Sequence, residues 1–194
     1  MAGAETAVAA TGDAQPQISR RRITMIRAGE GVPMDHESMP FVGVDEDVMA
    51  NFAKLSASVP NMVDAAHTEI LFRMPGENGM SLSRAWFKSG YITPRHSHNS
   101  DCLYYILSGE ARFGSARLGP GEGIFIPAND GYVVEAGPEG CELLEYRNAA
   151  EFNIHFKDND AGHWDRIARS LGEHMTGWDS EVRPSERQGQ KARS

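Results

Sequence analysis

The residues best suited to chemistry form a His-x-His pair, His96 and His98, followed by a cysteine and two tyrosines. Side chains alternate between the two faces of an extended segment, so the two imidazoles project to the same face and can bind one metal ion. The same alternation places Cys102 and Tyr104 on that face, with Tyr105 one position out of phase. If the strands close into a barrel, this face lines an interior cavity suited to a small ligand.

The elements that position these residues are predicted to be strands. Residues 69–156 form a series of short apolar runs separated by turn signals such as Pro75-Gly76 and Gly119-Pro120-Gly121, which is typical of an all-β sandwich or barrel. Strands are predicted at 69–73, 82–88, 101–107, 110–113, 115–118, 123–126, 132–136, 141–147 and 152–156. Such a set of strands is sufficient for a small closed barrel.

Two amphipathic helices are predicted to flank the barrel. The first spans residues 45–58, with three carboxylates in its first turn and a stripe of Val48, Phe52 and Leu55. The second opens near Asp160, and it is predicted to pack on the outside of the barrel or against another subunit. Its apolar face consists of Trp164, Ile167, Leu171, Met175 and Trp178.

The composition bounds the organisation and the partners of the chain. The 194 residues divide into a disordered tail (1–22), a partly helical extension (23–66), the barrel (67–157), a helix (158–179) and a loose tail (180–194). The net charge of −8 argues against nucleic acid as a partner. Because the first residues lack an apolar signal region and no apolar run is long enough to span a bilayer, we expect a cytoplasmic protein without a membrane partner. Its two cysteines are expected to be reduced.

The motifs in residues 69–147 resemble those of the cupin superfamily. Gly90, the His-x-His pair and Gly109 match the first cupin motif, and a second motif begins at Gly114 and ends in Pro127-Ala128. The resemblance implies an all-β cupin-type double-stranded β-helix, a jelly-roll barrel, with flanking helices. Cys102 stands where the family keeps a glutamate ligand, and Tyr132 stands where it keeps a third histidine.

Three kinds of site are consistent with these replacements. A divalent metal ion, iron or zinc, could bind His96 and His98 with help from the Cys102 thiolate, the Tyr132 phenolate or water. Alternatively, the histidines could act as acid and base in a metal-free pocket, or the barrel could bind a ligand without chemistry. Cys102 is a ligand, a reactive thiol or a small buried hydrophobe. At this one position the chain also resembles cysteine dioxygenases, which implies a further alternative, a thioether crosslink to Tyr132 or another inward tyrosine.

Several other titratable residues in the barrel region are further candidates for a role at the site. Tyr104 and Tyr132 are candidates for a general acid or base, against an interpretation as aromatic lining. Asp101 and Glu145 could replace the missing carboxylate and Arg84 could bind an anion, although all three are expected at the rim or the surface.

The expected function is that of a metal-dependent enzyme acting on a small organic molecule inside the barrel. Vacant coordination positions on iron favour dioxygenase chemistry, which is the leading expectation; zinc, or the pair Tyr104 and Tyr132, favours lyase or isomerase chemistry, which comes next. The alternative is a metal-free or non-catalytic ligand-binding barrel. A homodimer is expected, because cupins often dimerise through their sheets and because the apolar face of the second helix needs cover.

Overall fold

The computed structural model describes residues 23–157 and 160–191, so the predicted disordered tail at residues 1–22 lies outside the described residues. Its strands are β1 Val32–Pro33, β2 Phe41–Val42, β3 Ala66–Met74, β4 Met80–Phe87, β5 His96–Ser97, β6 Cys102–Phe113, β7 Ala116–Leu118, β8 Gly123–Ile126, β9 Val134–Arg147 and β10 Ile154–Phe156. The helices are α1 Glu46–Ser58, α2 Ala161–His174 and α3 Pro184–Lys191, with single 3-10 segments at Met62–Ala65 and Met175–Ser180.

The strands form two sheets with a cavity between them. The larger sheet has the order β1-β3-β4-β9-β6-β7, with β8 also paired to β6, and the smaller sheet has the order β2-β10-β5. A bridge between His96 and Tyr132 adds a further residue beside β5. Two facing sheets of largely antiparallel strands are the arrangement of a jelly roll. The prediction of an all-β jelly roll with flanking helices is therefore confirmed.

The two longest strands correct four of the predicted ones. Strand β6 continues through Ser108-Gly109, between the predicted strands 101–107 and 110–113, and β9 continues through Gly137-Pro138, between 132–136 and 141–147. The pairing of these two strands shifts register between Ile106 and Ser108 and between Gly109 and Ala111. Bulges absorb the extra residues and bend the strands. Gly109 therefore marks a bend within β6 and not the end of a strand.

The helices pack against one end of the barrel. Asp45 caps α1 by accepting a hydrogen bond from Val48 N at 2.9 Å, as the run of carboxylates predicts. Four members of the predicted face, Trp164, Ile167, Leu171 and Trp178, are buried. They contact a second apolar cluster, which includes Val48 and Leu55 from α1 and Phe156 from β10. This face is covered within the chain.

The C-terminal stretch departs from the expectation of a loose tail. Residues 184–191 form α3, whose first turn lies over the outer face of the larger sheet. The backbone N–H of Ser185 donates to Glu142 Oε2 at 2.8 Å, so a buried carboxylate on β9 binds the positive end of this helix. Within the described residues, no helix is long and apolar enough to cross a bilayer.

Candidate functional site

A cavity of about 290 Å³ lies between the two sheets. One half of its wall is apolar and includes Met34, Met39, Phe41, Phe52, Ile154 and Phe156. The other half carries the larger polar side chains of Tyr91, His96, His98, Tyr104, Glu145 and Arg147, together with those of Thr68 and Thr93. Alternation along the sequence predicted three of these residues, His96, His98 and Tyr104. Strand β9 contributes two more, Glu145 and Arg147.

The strand register explains how an arginine and a glutamate fit in the barrel interior. On β9, Arg147 pairs with Ser81 of β4 on one side and with Cys102 of β6 on the other. Glu145 pairs with Ser83 and Tyr104 in the same way. Because β4 supplies serines at these two positions, the interior has room for two long charged side chains that a larger residue would exclude.

The two histidines are held in one tautomer by backbone carbonyl groups. His96 Nδ1 lies 2.8 Å from Pro94 O, and His98 Nδ1 lies 2.5 Å from Asn153 O. A carbonyl oxygen can only accept a hydrogen bond, so each Nδ1 donates and each Nε2 keeps its lone pair. This arrangement suits either a metal ligand or a general base.

Both imidazoles are neutral at neutral pH. Burial lowers the pKa of His96 to about 4, against a smaller opposing effect of the Pro94 carbonyl. Burial also lowers the pKa of His98 to about 2, with further contributions from the positive charge of Arg147 and from His96. Each ring is therefore available as an acceptor and not as a cation.

Tyr104 and Tyr132 share a hydrogen bond between their hydroxyl groups. The ring centre of Tyr132 lies 4.5 Å from that of His96. Burial raises the pKa of both phenols well above the ordinary value, the charge of Glu145 adds to this effect, and the positive charge of Arg147 opposes it. At neutral pH the two tyrosines are protonated, so they can donate a proton but are poor bases.

Cys102 is buried in the main apolar core and pairs with Ile126 and Arg147 on its neighbouring strands. Burial raises the pKa of its thiol to about 12, although the charge of Arg147 favours the thiolate. The side chain is therefore a thiol at neutral pH. Among the interpretations of this residue, the structure favours the small buried hydrophobe.

Arg147 and Glu145 form a buried ion pair. The sequence indicated Glu145 as a possible replacement for the missing carboxylate, but it predicted neither Arg147 nor the pairing. Arg147 Nη1 lies 2.8 Å from Glu145 Oε2, and the two side chains are 1% and 8% exposed. The guanidinium also lies 4.1 Å from the ring centre of Phe152, and Nη2 lies 3.3 Å from His98 Nε2. The sequence does contain a signal for their burial. Glu145 and Arg147 follow Cys141 and Leu143 at steps of two residues, so all four side chains lie on the same, buried face of the strand.

The other charged candidates lie outside the cavity. Arg84 forms an ion pair with Glu69 on the outer face of the larger sheet. Asp101 accepts hydrogen bonds from Ala128 N at 2.9 Å and from Asn148 Nδ2 at 3.1 Å, so its carboxylate holds two loops together. Glu145, which was expected at the rim, lies in the interior instead.

The donor set does not fit a divalent metal ion. Among the described residues, no group of three His, Cys, Asp or Glu side chains converges on one point. The lone pair of His98 faces the Arg147 guanidinium, the Cys102 sulfur is held as a thiol, and the Tyr132 hydroxyl binds Tyr104. A metal ion that used His98 Nε2 as a ligand would have to displace the Arg147 guanidinium, whose Nη2 lies 3.3 Å from that atom.

Comparisons with known proteins give a limited result. No family model matches the sequence, and no curated protein matches it either. The chain is similar to the polyketide cyclase RemF from Streptomyces resistomycificus, with 21% identity, a TM-score of 0.45, and coverage of 55% of this chain and 84% of RemF. It is also similar to KdgF from Halomonas sp., with 18% identity, a TM-score of 0.37, and coverage of 43% and 81% respectively.

A third solved structure is the oxalate decarboxylase of Bacillus subtilis. It has 19% identity and a TM-score of 0.39, and the match covers 44% of this chain. The chain spans about a quarter of the length of that protein, 26%. At these identities and TM-scores, the names of the three proteins carry no argument about the chemistry of this chain.

Proposed function

We propose that this cavity binds a small organic molecule and transfers a proton between two of its positions, as an isomerase or a lyase does. The observation that carries the proposal is that the neutral imidazole of His96 and the phenol of Tyr104, which is hydrogen-bonded to Tyr132, line one cavity. Proton transfer from carbon requires a base and an acid that can reach the same ligand. The reaction proposed here needs no metal ion.

His96 is the proposed base. Its Nδ1 donates to Pro94 O, which fixes the ring and leaves the lone pair on Nε2. His98 lies beside it, but the lone pair of His98 already accepts from Arg147 at 3.3 Å. Of the two imidazoles, His96 is therefore the one that can take a proton from a ligand.

Tyr104 is the proposed acid. It lines the cavity, and its hydroxyl group binds that of Tyr132. If Tyr104 gives up its proton, the Tyr132 hydroxyl can stabilise the resulting phenolate by donating a hydrogen bond. Tyr132 thus supports the acid and is a positioning residue.

Iron-dependent dioxygenase chemistry is the less favoured alternative, because it would need the ligand set His96, His98, Cys102 and Tyr132 to assemble around a cation. The contacts that these side chains make with Arg147 and with each other compete with such an assembly. A barrel that binds its ligand without turning it over is the second alternative, which the mostly apolar wall supports.

The proposal is tested by deuterium exchange. A set of small carbon acids that includes ketones, keto acids and nitroalkanes is incubated with the protein in D₂O, and loss of the C–H signal is followed by NMR. We expect exchange with the wild type and a loss of roughly 100-fold or more in the His96→Gln and Tyr104→Phe variants. Tyr105→Phe is the matched control, because Tyr105 lies on the outer face of the same strand.

Two outcomes would contradict the proposal. Equal exchange rates in the wild type and in His96→Gln would remove the role of the imidazole. Saturable binding without any exchange would identify the cavity as a binding site that does not turn its ligand over.

A further inference from the structure

The geometry points to Arg147 as the electrophile of the cavity, and we propose that its ligand is an uncharged carbonyl compound whose oxygen binds this guanidinium. This inference rests on the proposed proton transfer and names the class of molecule on which that transfer acts. It follows from three observations, which concern the unused donor of Arg147, the total charge of the cavity wall and the apolar character of its other half.

The first observation is that the guanidinium has a donor without an acceptor. Nε is buried and has no hydrogen-bond partner within the described part of the chain, whereas Nη1 lies 2.8 Å from a Glu145 oxygen and Nη2 lies 3.3 Å from His98 Nε2. A buried donor that has lost its water without gaining an acceptor is unfavourable. A ligand oxygen that accepts from the Nε–H group would remove that penalty.

The second observation is the charge of the wall. The Arg147 guanidinium lies 2.8 Å from the Glu145 carboxylate, and these are the only Asp, Glu, Lys or Arg side chains among the described residues that line the cavity. The formal charge of the lining is therefore zero. A carboxylate or an ammonium group would bring an unbalanced charge into a buried space, whereas a ketone or an aldehyde would not.

The third observation is that the remaining wall is apolar. Phe156 contacts Phe41 and Phe52 edge to face, with ring centres 5.2 and 5.1 Å apart, and the three rings line the cavity together with two methionines. This half favours an apolar substituent on the ligand. A carbonyl group at one end and an apolar group at the other match the two halves of the cavity.

The arrangement accounts for the complete proton transfer. His96 Nε2 takes the proton from the carbon next to the carbonyl group, and the electron pair of that C–H bond forms a carbon–carbon double bond. The π electrons of the carbonyl group move onto the oxygen, where the guanidinium hydrogen bonds stabilise the developing charge and Tyr104 can supply a proton. In a ligand whose enolate is conjugated with a second C=C bond, His96 returns the proton to the far carbon of that bond while the O–H proton goes back to the Tyr104 phenolate, which completes an isomerisation with no oxidant or reductant.

The test is the infrared carbonyl stretch of acetophenone bound to the protein. We expect the stretch to shift to lower frequency in the wild type, because hydrogen bonds from Arg147 polarise the C=O bond. We expect the shift to persist in Glu145→Gln and to disappear in the double variant Glu145→Gln with Arg147→Met, which leaves no unpaired charge in the interior. Arg117→Met, a substitution at an exposed arginine that pairs with Glu110, is the control and should keep the shift.

Three results would overturn the inference. They are the same carbonyl frequency in the wild type and the double variant, tighter binding of benzoate than of acetophenone, and no binding of acetophenone at millimolar concentration. Deuterium exchange that continues unchanged in the double variant would leave the proton transfer standing and remove Arg147 from it. A carbonyl shift without exchange would have the opposite meaning: the carbonyl site would stand and the proton transfer would fail.

Discussion

Arg147 and Glu145 are stable inside the barrel because each neutralises the other. Replacing Arg147 by Met leaves the Glu145 carboxylate buried without a countercharge, and we expect a loss of about 3–5 kcal/mol in the free energy of unfolding. The loss is measured by urea denaturation monitored by circular dichroism.

The double variant Glu145→Gln with Arg147→Met provides the control for this prediction. It removes both charges, so it should recover most of the stability that the single substitution loses. Equal losses in the single and the double variant would show that the packing of the arginine side chain, and not the charge of its partner, determines the effect.

The buried histidines give the stability of the protein a defined dependence on pH. Their pKa values are about 4 and about 2 in the folded state, below the ordinary value of 6.5, so the unfolded chain binds protons more readily. The free energy of unfolding should therefore fall as the pH is lowered from about 6.5 towards 4, with a slope of at most about 1.4 kcal/mol per pH unit for each histidine.

Urea denaturation at a series of pH values measures this slope. The variant His96→Gln cannot take up the proton, so its stability should change less over the same interval. A wild-type stability that is constant between pH 6.5 and 4, or a slope that His96→Gln leaves intact, would contradict the assignment of a buried neutral imidazole.

The sequence predicted part of this site, and the missing part has a physical explanation. His96, His98 and Tyr104 followed from alternation along short segments, which is local information. Arg147 did not, because a charged residue at the end of an apolar strand is usually exposed. Its burial depends on Ser81 and Ser83 in another strand, and that pairing cannot be read from the sequence around Arg147.

At the scale of the elements, the bend of β6 depends on a glycine. Gly109 has a φ of 75°, and a Cβ at this position would overlap the carbonyl oxygen of Gly140 on β9. Gly114 also has a positive φ, 58°, but a Cβ there would meet no atom within 4 Å. An alanine at either position would be strained by the positive φ. Only an alanine at position 109 would also clash with β9.

We expect Gly114→Ala to lower the free energy of unfolding by about 1–2 kcal/mol, which is the strain of a left-handed alanine. Gly109→Ala should lower it by more, because the two strands must also move apart. Thermal or urea denaturation of the two variants gives the comparison. Equal losses would show that the close approach of β6 and β9 does not constrain this bend.

The same glycine explains why the strand boundaries were difficult to predict. A Ser-Gly or a Gly-Pro pair is a turn signal in a local reading, and both pairs occur inside continuous strands here. The decisive feature is the partner strand, which keeps its pairing on both sides of the bulge. The helix α1 was easier, because its cap and its apolar stripe are contained within its own residues.

At the scale of the whole molecule, the two apolar clusters join the barrel and its helices. One cluster fills the barrel, and the other lies between α1, α2 and the smaller sheet. Phe52 of α1 illustrates the connection, since its ring contacts both Phe156 and Trp164 with centres 5.1 and 4.9 Å apart. The helices therefore support the sheet that carries His96.

The homodimer remains a prediction, but one of the two reasons for expecting it no longer holds. The apolar face of α2 is buried within the chain, so it does not need a second subunit as cover. Light scattering at micromolar concentration measures the molar mass directly. Twice the mass of the 21.3 kDa chain is expected, and the mass of a single chain would contradict the prediction.

In the proposed function, the barrel transfers a proton without a metal ion. The most direct measurement is the rate of deuterium exchange into the carbon acid that the wild type exchanges fastest, before and after treatment with a chelator. We predict the same rate in both samples and a rate lower by roughly 100-fold in His96→Gln. A rate that falls after chelation and returns when iron or zinc is added would contradict the account.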